Sequence, residues 1–258
     1  MIDLATIRAA LAGGEFFLEY LPTISLIDGS CIGAEALIRW RHAGDIIPPS
    51  EFIPRAENTP VSGLITYWVM ETVASELGDW LRENERAHIG LNVPPEVLGR
   101  GGMEYVANKT GLIERASQII FEITERGVPD PVGVEAINQG QGMGIKVALD
   151  DVTLAGAANL AVLARCNFYA IKLDKSLIDQ IGPQRAVPAW LNLVTALLRT
   201  SPLVVVAEGV ETEEQSTMLR EANIQAAQGY YFSRPISAAA FMGFYRDRGM
   251  PGRTAPPG

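Results

Sequence analysis

Cysteine and histidine are scarce in this chain, with two of each in 258 residues. Cys31 and Cys166 sit in apolar settings with no C-x-x-C partner, so both read as small core residues and a disulfide is not expected. No apolar run approaches the roughly 18 residues that span a bilayer, and the opening MIDLATIRAALAGGE lacks the pattern of a signal peptide. Membrane insertion is therefore not expected, and a cytoplasmic location is the default. Basic blocks are missing too. The net charge is −9, and nothing in the chain would neutralise a phosphate backbone, which argues against a nucleic-acid polymer as partner. A small phosphate ligand stays compatible if metal ions mediate.

Apolar residues make up 48% of the chain, enough for a large core and against disorder. Short apolar runs recur at 15–20, 31–38, 88–93, 118–123, 145–149, 169–173, 203–207 and 226–231. Helical spacing marks 62–83, 132–139, 158–165, 184–199 and 212–222, and Ser237–Arg246 reads as a closing helix. Short buried strands alternating with helices imply a mainly parallel sheet covered by helices. Eight strands in about 250 residues suit an α/β fold of the (β/α)8 type. PTISLIDGS between the first two runs is too short for a crossover helix, so that pair should be antiparallel. Residues 1–245 read as one barrel domain and 246–258, rich in Pro, Gly and Arg, as a flexible tail.

Polar residues fall in a positional pattern. Glu35 lies in the second run, Asn92 ends the third, Glu122 lies near the end of the fourth, and Asp150 and Asp151 follow the fifth. Lys172 lies near the end of the sixth, Glu208 follows the seventh, and Gln228 sits in the eighth. In a barrel these strand ends converge on one mouth. Any one carboxylate there is equally well a helix cap. Five together are costly in a low-dielectric pocket unless cations hold them. The donors are oxygens, and neither His42 nor His88 lies near any of these acid-bearing strand ends, so Mg²⁺, Mn²⁺ or Ca²⁺ is favoured over zinc or copper. Adjacent Asp150 and Asp151 suggest two ions bridged by one carboxylate, an arrangement suited to phosphoryl transfer. Lys172 fits as a group that holds a water or a phosphate oxygen; its alternative is a buried ion pair with Glu208 or Asp150.

These residues sit in blocks that resemble the EAL domain family. GAEALIRW carries Glu35-Ala36-Leu37, and PSEFIPRAEN, LNVPPEVL, FEITE, ALDD, IKLDKSLI, VVAEGVETEEQ and QGYYFSRPI follow in the family's order. The likeness runs from Phe16 to Pro235. It implies a TIM-barrel-like fold with an antiparallel first strand. It also implies hydrolysis of the bacterial messenger cyclic di-GMP to linear pGpG with Mg²⁺ or Mn²⁺, inhibited by Ca²⁺. On the resemblance, Glu35, Asn92, Glu122 and Asp150 match the ligands of a first ion, and Asp150, Asp151 and Glu208 those of a second. Lys172 matches a lysine that orients the attacking water, and Glu208 matches a residue assigned general-base work. Leu37, Arg39 and Gln228 match ligand-contacting positions. Glu211 matches a position behind the metal ligands, and Glu125 one that braces the loop after the paired aspartates. A homodimer through a surface that includes this loop is implied as well.

The chain also departs from the pattern. DDVTLAG stands where the family has DDFGTG, with Thr153 and Leu154 in place of a Gly-Thr pair, and the spacing to Lys172 is one residue longer. Glycine admits backbone angles that Thr and Leu resist, so the loop cannot follow the usual path. Leu21 stands where the family has Gln, and NTPVSG after Ala56-Glu57 reads as a small insertion. Arg39 keeps a fork for a phosphate; its alternative is a surface salt bridge. The altered loop and Leu21 leave an alternative reading: a cyclic di-GMP receptor with little or no turnover.

Overall fold

The computed structural model describes residues 2–124, 129–142, 144–153, 165–182 and 187–248. Its first strand, β1 (Phe16–Ser25), shows the alternation of a half-buried strand along most of its length. β1 pairs antiparallel with β2 (Cys31–His42), and the register sets Glu19 opposite Leu37, Leu21 opposite Glu35 and Thr23 opposite Gly33. Residues directly opposite share a face, so these six line one side of the pair. β1 runs five residues beyond the expected strand, because its alternation continues through Pro22–Ser25. The connection is only the turn before Cys31, where Asp28 accepts from Ser30 N at 3.1 Å and Ser30 Oγ at 2.7 Å.

The remaining strands are β3 (Asp45–Ile47), β4 (His88–Asn92), β5 (Ile119–Thr124), β6 (Lys146–Val152), β7 (Ala170–Leu173), β8 (Val204–Ala207) and β9 (Ala226–Ala227). Around the sheet the order is β1-β9-β8-β7-β6-β5-β4-β2, and the β1–β2 pairing closes it. The result is the expected eight-stranded α/β barrel. β1 is antiparallel to both neighbours, β2 and β9, while the pairs from β2 through β4 to β9 run parallel. β3 is an added hairpin on β2. It was not expected from the sequence; Ala43 and Gly44, at φ 51° and 95°, form its tight turn. The eighth run is far shorter than the expected 226–231. Gly229 takes φ 151°, and a Cβ there would lie 2.1 Å from Val210 O, so the chain turns away immediately after Gln228.

Helices pack outside the barrel. Asp3 caps α1 (Leu4–Gly13) through Thr6 N at 2.8 Å, and Gly14 ends it at φ 69°. α2 spans Pro49–Ala56 and α3 Pro60–Glu83. The NTPVSG segment is the start of α3: Thr59 caps it and Pro60 occupies its first turn. α4 (Gly102–Thr110) and α5 (Pro131–Gly142) flank β5 in sequence. The short helix α6 (Lys175–Ile178), then α7 (Ala189–Leu198), α8 (Glu213–Glu221) and α9 (Ala238–Arg248), complete the described set. The α1, α2, α4 and α6 segments were not expected from periodicity. Residues 158–164 of the helix expected at 158–165, and the loop from Leu154 onward, lie outside the described residues, and Arg165 itself is in a turn. α9 runs two residues past the expected Arg246. Cys31 and Cys166 are both buried and free. No described helix is long and apolar enough to cross a membrane.

Candidate active site

Parallel register carries one lumen-facing parity around the barrel: Glu35 pairs with Gly90, Asn92 with Glu122, and Glu122 with Ala148. Alternation then puts Asp150 on the same side as Ala148, and Lys172 on the side of Ala170, the partner of Ala148. Five side chains meet at the centre. Lys172 Nζ lies 2.6 Å from Glu122 Oε2, 2.7 Å from Glu208 Oε1, 2.9 Å from Glu35 Oε2 and 3.3 Å from Asp150 Oδ1. The expected alternative, a buried ion pair with Glu208 or Asp150, is present with both, and Glu35 and Glu122 share the same ammonium. Asn92 Nδ2 donates to Glu35 Oε1 at 2.7 Å. Gly90 makes room for the cluster, since a Cβ there would lie 2.2 Å from Glu122 Oε1.

Glu35, Glu122, Asp150 and Lys172 are buried, and burial disfavours their charged forms. Burial pushes the Glu122 carboxyl well above the usual range, and the charge of Glu35 pushes the same way. Burial also raises Asp150, against the pull of Lys172. Glu208 is pushed up to about 8 by burial, again opposed by Lys172. Burial would raise Glu35 as well, but the Lys172 charge and the bonds from Lys172 and Asn92 outweigh it and hold that carboxyl low. For Lys172, burial is outweighed by the surrounding carboxylates, and its ammonium is stabilised far above the ordinary lysine range.

One ammonium among Glu35, Glu122, Asp150, Asp151 and Glu208 leaves an excess of negative charge. Two carboxylate groups are arranged to hold cations: Glu35, Glu122 and Asp150 in one, Asp150, Asp151 and Glu208 in the other, their ligand oxygens within 4.8 Å of one another. Asp150 belongs to both. Its Oδ1 is buried and makes no hydrogen bond, although the Lys172 ammonium lies nearby. An all-oxygen donor set with an unsatisfied buried acceptor fits hard divalent ions. Asp151 takes φ 57°, a left-handed angle that aspartate tolerates better than most residues. The β6–β7 register shifts between Leu149 and Val152.

Beside the cluster opens a cavity of about 810 Å³, lined by Glu35, Leu37, Asn92, Glu122, Asp150 and Asp151 and extending to Pro49, Glu57, Glu96 and Asp130. Leu37 faces it. Arg39 does not line it: its Nε donates to Glu19 Oε2 at 2.8 Å and its Nη1 to Ile38 O at 3.0 Å. Gln228 is buried, with Nε2 donating to Thr23 Oγ1 at 2.8 Å and lying 3.4 Å from Leu21 O. Its Oε1 has no partner. Glu211 stands apart, exposed, with its carboxylate on Lys175 Nζ at 2.6 Å. Glu125 lies outside the described residues. Glu19, Thr23 and Gly90 were missed in the sequence; of these only Gly90 carried a signal, a glycine inside a strand.

Named relatives align with nearly the whole of this chain. The probable cyclic di-GMP phosphodiesterase PdeB of Escherichia coli is 29% identical over 240 residues, covering 92% of this chain and 46% of the relative. The cyclic di-GMP phosphodiesterase NbdA of Pseudomonas aeruginosa is 31% identical over 248 residues, covering 93% of this chain and 31% of the relative. This chain thus spans less than half the length of these relatives. Among solved structures, the PaMucR phosphodiesterase in complex with c-di-GMP superposes with a TM-score of 0.81 at 28% identity, covering 92% of this chain and 98% of that one. The EAL enzyme Bd1971 in its cAMP- and cyclic-di-GMP-bound form gives a TM-score of 0.83 at 25% identity, covering 93% and 67%. The family model described as EAL domain matches residues 4–235, and the chain belongs to the EAL domain family.

Proposed function

We propose that this domain is a metal-dependent phosphodiesterase that hydrolyses cyclic di-GMP to linear pGpG. The observation that carries the reading is the pair of carboxylate groups sharing Asp150 around Lys172. Relatives named as cyclic di-GMP phosphodiesterases and a ligand-bound neighbour support the substrate class.

In this reading Glu35, Asn92, Glu122 and Asp150 hold one ion, and Asp150, Asp151 and Glu208 hold another. The oxygen donors suit hard ions, and on the family resemblance Mg²⁺ or Mn²⁺ supports turnover while Ca²⁺ competes for the same oxygens as an inhibitor. Bound there, the ions supply positive charge against the phosphate and make a water acidic enough to attack. Lys172 holds that water by hydrogen bonding once its carboxylates are shared with cations. Glu208, held against Lys172 at the mouth, takes the water's proton in this reading. Attack at phosphorus then opens one of the two phosphodiester links of the ring. Leu37 packs on the ligand in the cavity, Arg39 offers its remaining N–H groups to a phosphate, and Gln228 offers its unpartnered Oε1 to a donor on the ligand. Glu211 acts from outside the cluster, and Glu125 braces the loop after Asp151. A homodimer, a cytoplasmic setting and a tail beyond the barrel complete the proposal.

The test is hydrolysis of cyclic di-GMP followed by chromatography, in Mg²⁺, Mn²⁺ and Ca²⁺, with Glu35→Ala as blank. Conversion to pGpG in Mg²⁺ or Mn²⁺ that the blank lacks supports the enzyme. Tight binding without conversion would replace it with the receptor reading, which rests on the altered segment DDVTLAG and on Leu21. In that case, rebuilding DDVTLAG as DDFGTG at family length should restore turnover.

A further inference from the structure

The chain has four lysines: Lys109, Lys146, Lys172 and Lys175. Three are held by carboxylates. Lys109 Nζ lies 2.8 Å from Glu71 Oε1, and Lys175 Nζ lies 2.6 Å from Glu211 Oε1 and 3.2 Å from Asp179 Oδ1. Lys172 sits among four acids. Lys146 differs. Its Nζ lies 2.7 Å from His88 Nε2 and 4.7 Å from the centre of the Tyr169 ring. No carboxylate of the described residues reaches within the 4.0 Å of an ion pair.

The register explains this placement. His88 pairs with Gly33 and Lys146 with Ile120, so both begin their strands and share the lumen-facing parity at the end of the barrel opposite the acidic mouth. The side chains form part of the barrel floor, half-buried rather than sealed. An ammonium there has lost water without gaining an anion, which favours the neutral amine. Burial accordingly pushes Lys146 below the ordinary lysine range, whereas carboxylates raise the other three. The neutral amine is the nucleophilic form.

We propose that Lys146 is an acylation site, taking the acyl group of small acyl phosphates in preference to the other three lysines. In the reaction the amine nitrogen attacks the carbonyl carbon. A carbon–nitrogen bond forms, the carbon–oxygen bond to phosphate breaks, and inorganic phosphate leaves. The proton released from nitrogen passes to solvent, which the half-buried floor admits. Half-burial restricts the donor to a compact one. The product is an uncharged amide, which removes the positive charge from the floor and the amine's contact with His88. The inference does not depend on the activity proposed for the mouth.

The test incubates the full chain with acetyl phosphate at pH 8 and follows each lysine by peptide mass spectrometry, with urea-unfolded protein as the reference for intrinsic reactivity. Lys146 should be modified at least about threefold faster than Lys109 and Lys175 in the folded chain, and comparably to them when unfolded. Equal or slower modification of Lys146 in the folded chain would overturn the proposal. His88→Glu supplies the missing carboxylate and should bring Lys146 down to the rate of the paired lysines. Unchanged rates at Lys109 and Lys175 report that the variant is folded. Persistent fast labelling of Lys146 in that folded variant would equally overturn it, and a variant that fails to fold leaves the folded-versus-unfolded comparison to decide.

Discussion

Gly90 on β4 leaves the space that the Glu122 carboxylate of β5 occupies: an added Cβ would stand 2.2 Å from Oε1 and 2.8 Å from Cδ. The contact is with a side chain whose place is fixed by Lys172 and by the crowd of acids around it. Gly90→Ala should therefore move Glu122 rather than break the barrel. A displacement of this size at a reacting centre costs about 10²-fold in turnover. Steady-state hydrolysis of cyclic di-GMP alongside a far-ultraviolet spectrum checks it; full turnover in a folded Gly90→Ala protein would show that Glu122 need not sit where it does.

The sequence made the mouth legible because Asn92, Glu122, Asp150, Lys172 and Glu208 each lie at or just beyond the end of a short apolar run, and in a parallel barrel those ends meet. Glu35, in mid-strand, joined that set from within its run rather than from a strand end, and its EAL block tied it to the site. The partners that orient the site were hidden. Glu19 and Thr23 come from β1, which runs opposite to its neighbours, so their meeting with Arg39 and Gln228 depends on the β1–β2 register and on barrel closure. Periodicity also missed α1 and β3, whose ends are set by a cap at Asp3 and by two successive left-handed residues, Ala43 and Gly44. β9 begins at the expected Ala226, but its early end, next to Gly229 at φ 151°, is not written in the apolar pattern.

Lys172 is the only ammonium within ion-pairing distance of the central acids among the described residues. Removing it leaves several buried carboxylates without a counter-charge, a loss of about 3 kcal/mol or more when one partner of a buried pair is deleted. Lys172→Met should therefore melt well below the parent in EDTA. Added Mn²⁺ should recover much of the stability, because cations can replace the missing charge, but not the hydrolysis, because the water loses its holder. Calorimetry with and without metal reads the first effect and chromatography the second. Equal melting of the two proteins in EDTA would contradict the electrostatic account.

At the other end of the barrel, His88 is pushed down to about 4 from 6.5, first by burial and then by the charge of Lys146. Between those values the unfolded chain binds a proton that the folded chain refuses, so stability rises with pH across the window. The contribution is complete above pH 6.5 and is lost as pH falls towards 4. Its size is about 2 kcal/mol after allowance for partial exposure. Denaturant midpoints measured from pH 7.5 to 4.5 should fall accordingly, and His88→Gln should flatten the part of the slope between pH 6.5 and 4.5. A slope identical in the two proteins would assign the acid sensitivity to other groups.

Arg39 commits Nε to Glu19 and Nη1 to its own strand's carbonyl at Ile38, so only part of its fork remains for a phosphate. Glu19 fixes the direction of that remainder. The pair is partly exposed, at 18% and 33% of the side chains, which limits its coupling to about 1 kcal/mol. Glu19→Ala should therefore raise KM for cyclic di-GMP about fivefold and leave kcat near the parent value, since the water and its holder are untouched. Glu19→Gln, which can still accept from Nε, should lie between the two. In an Arg39→Ala background the Glu19 substitution should have no further effect, because the carboxylate acts through the guanidinium. An additive double mutant would mean that Glu19 touches the ligand or the cavity wall directly, and a fall in kcat alone would move its influence from binding to the chemical step.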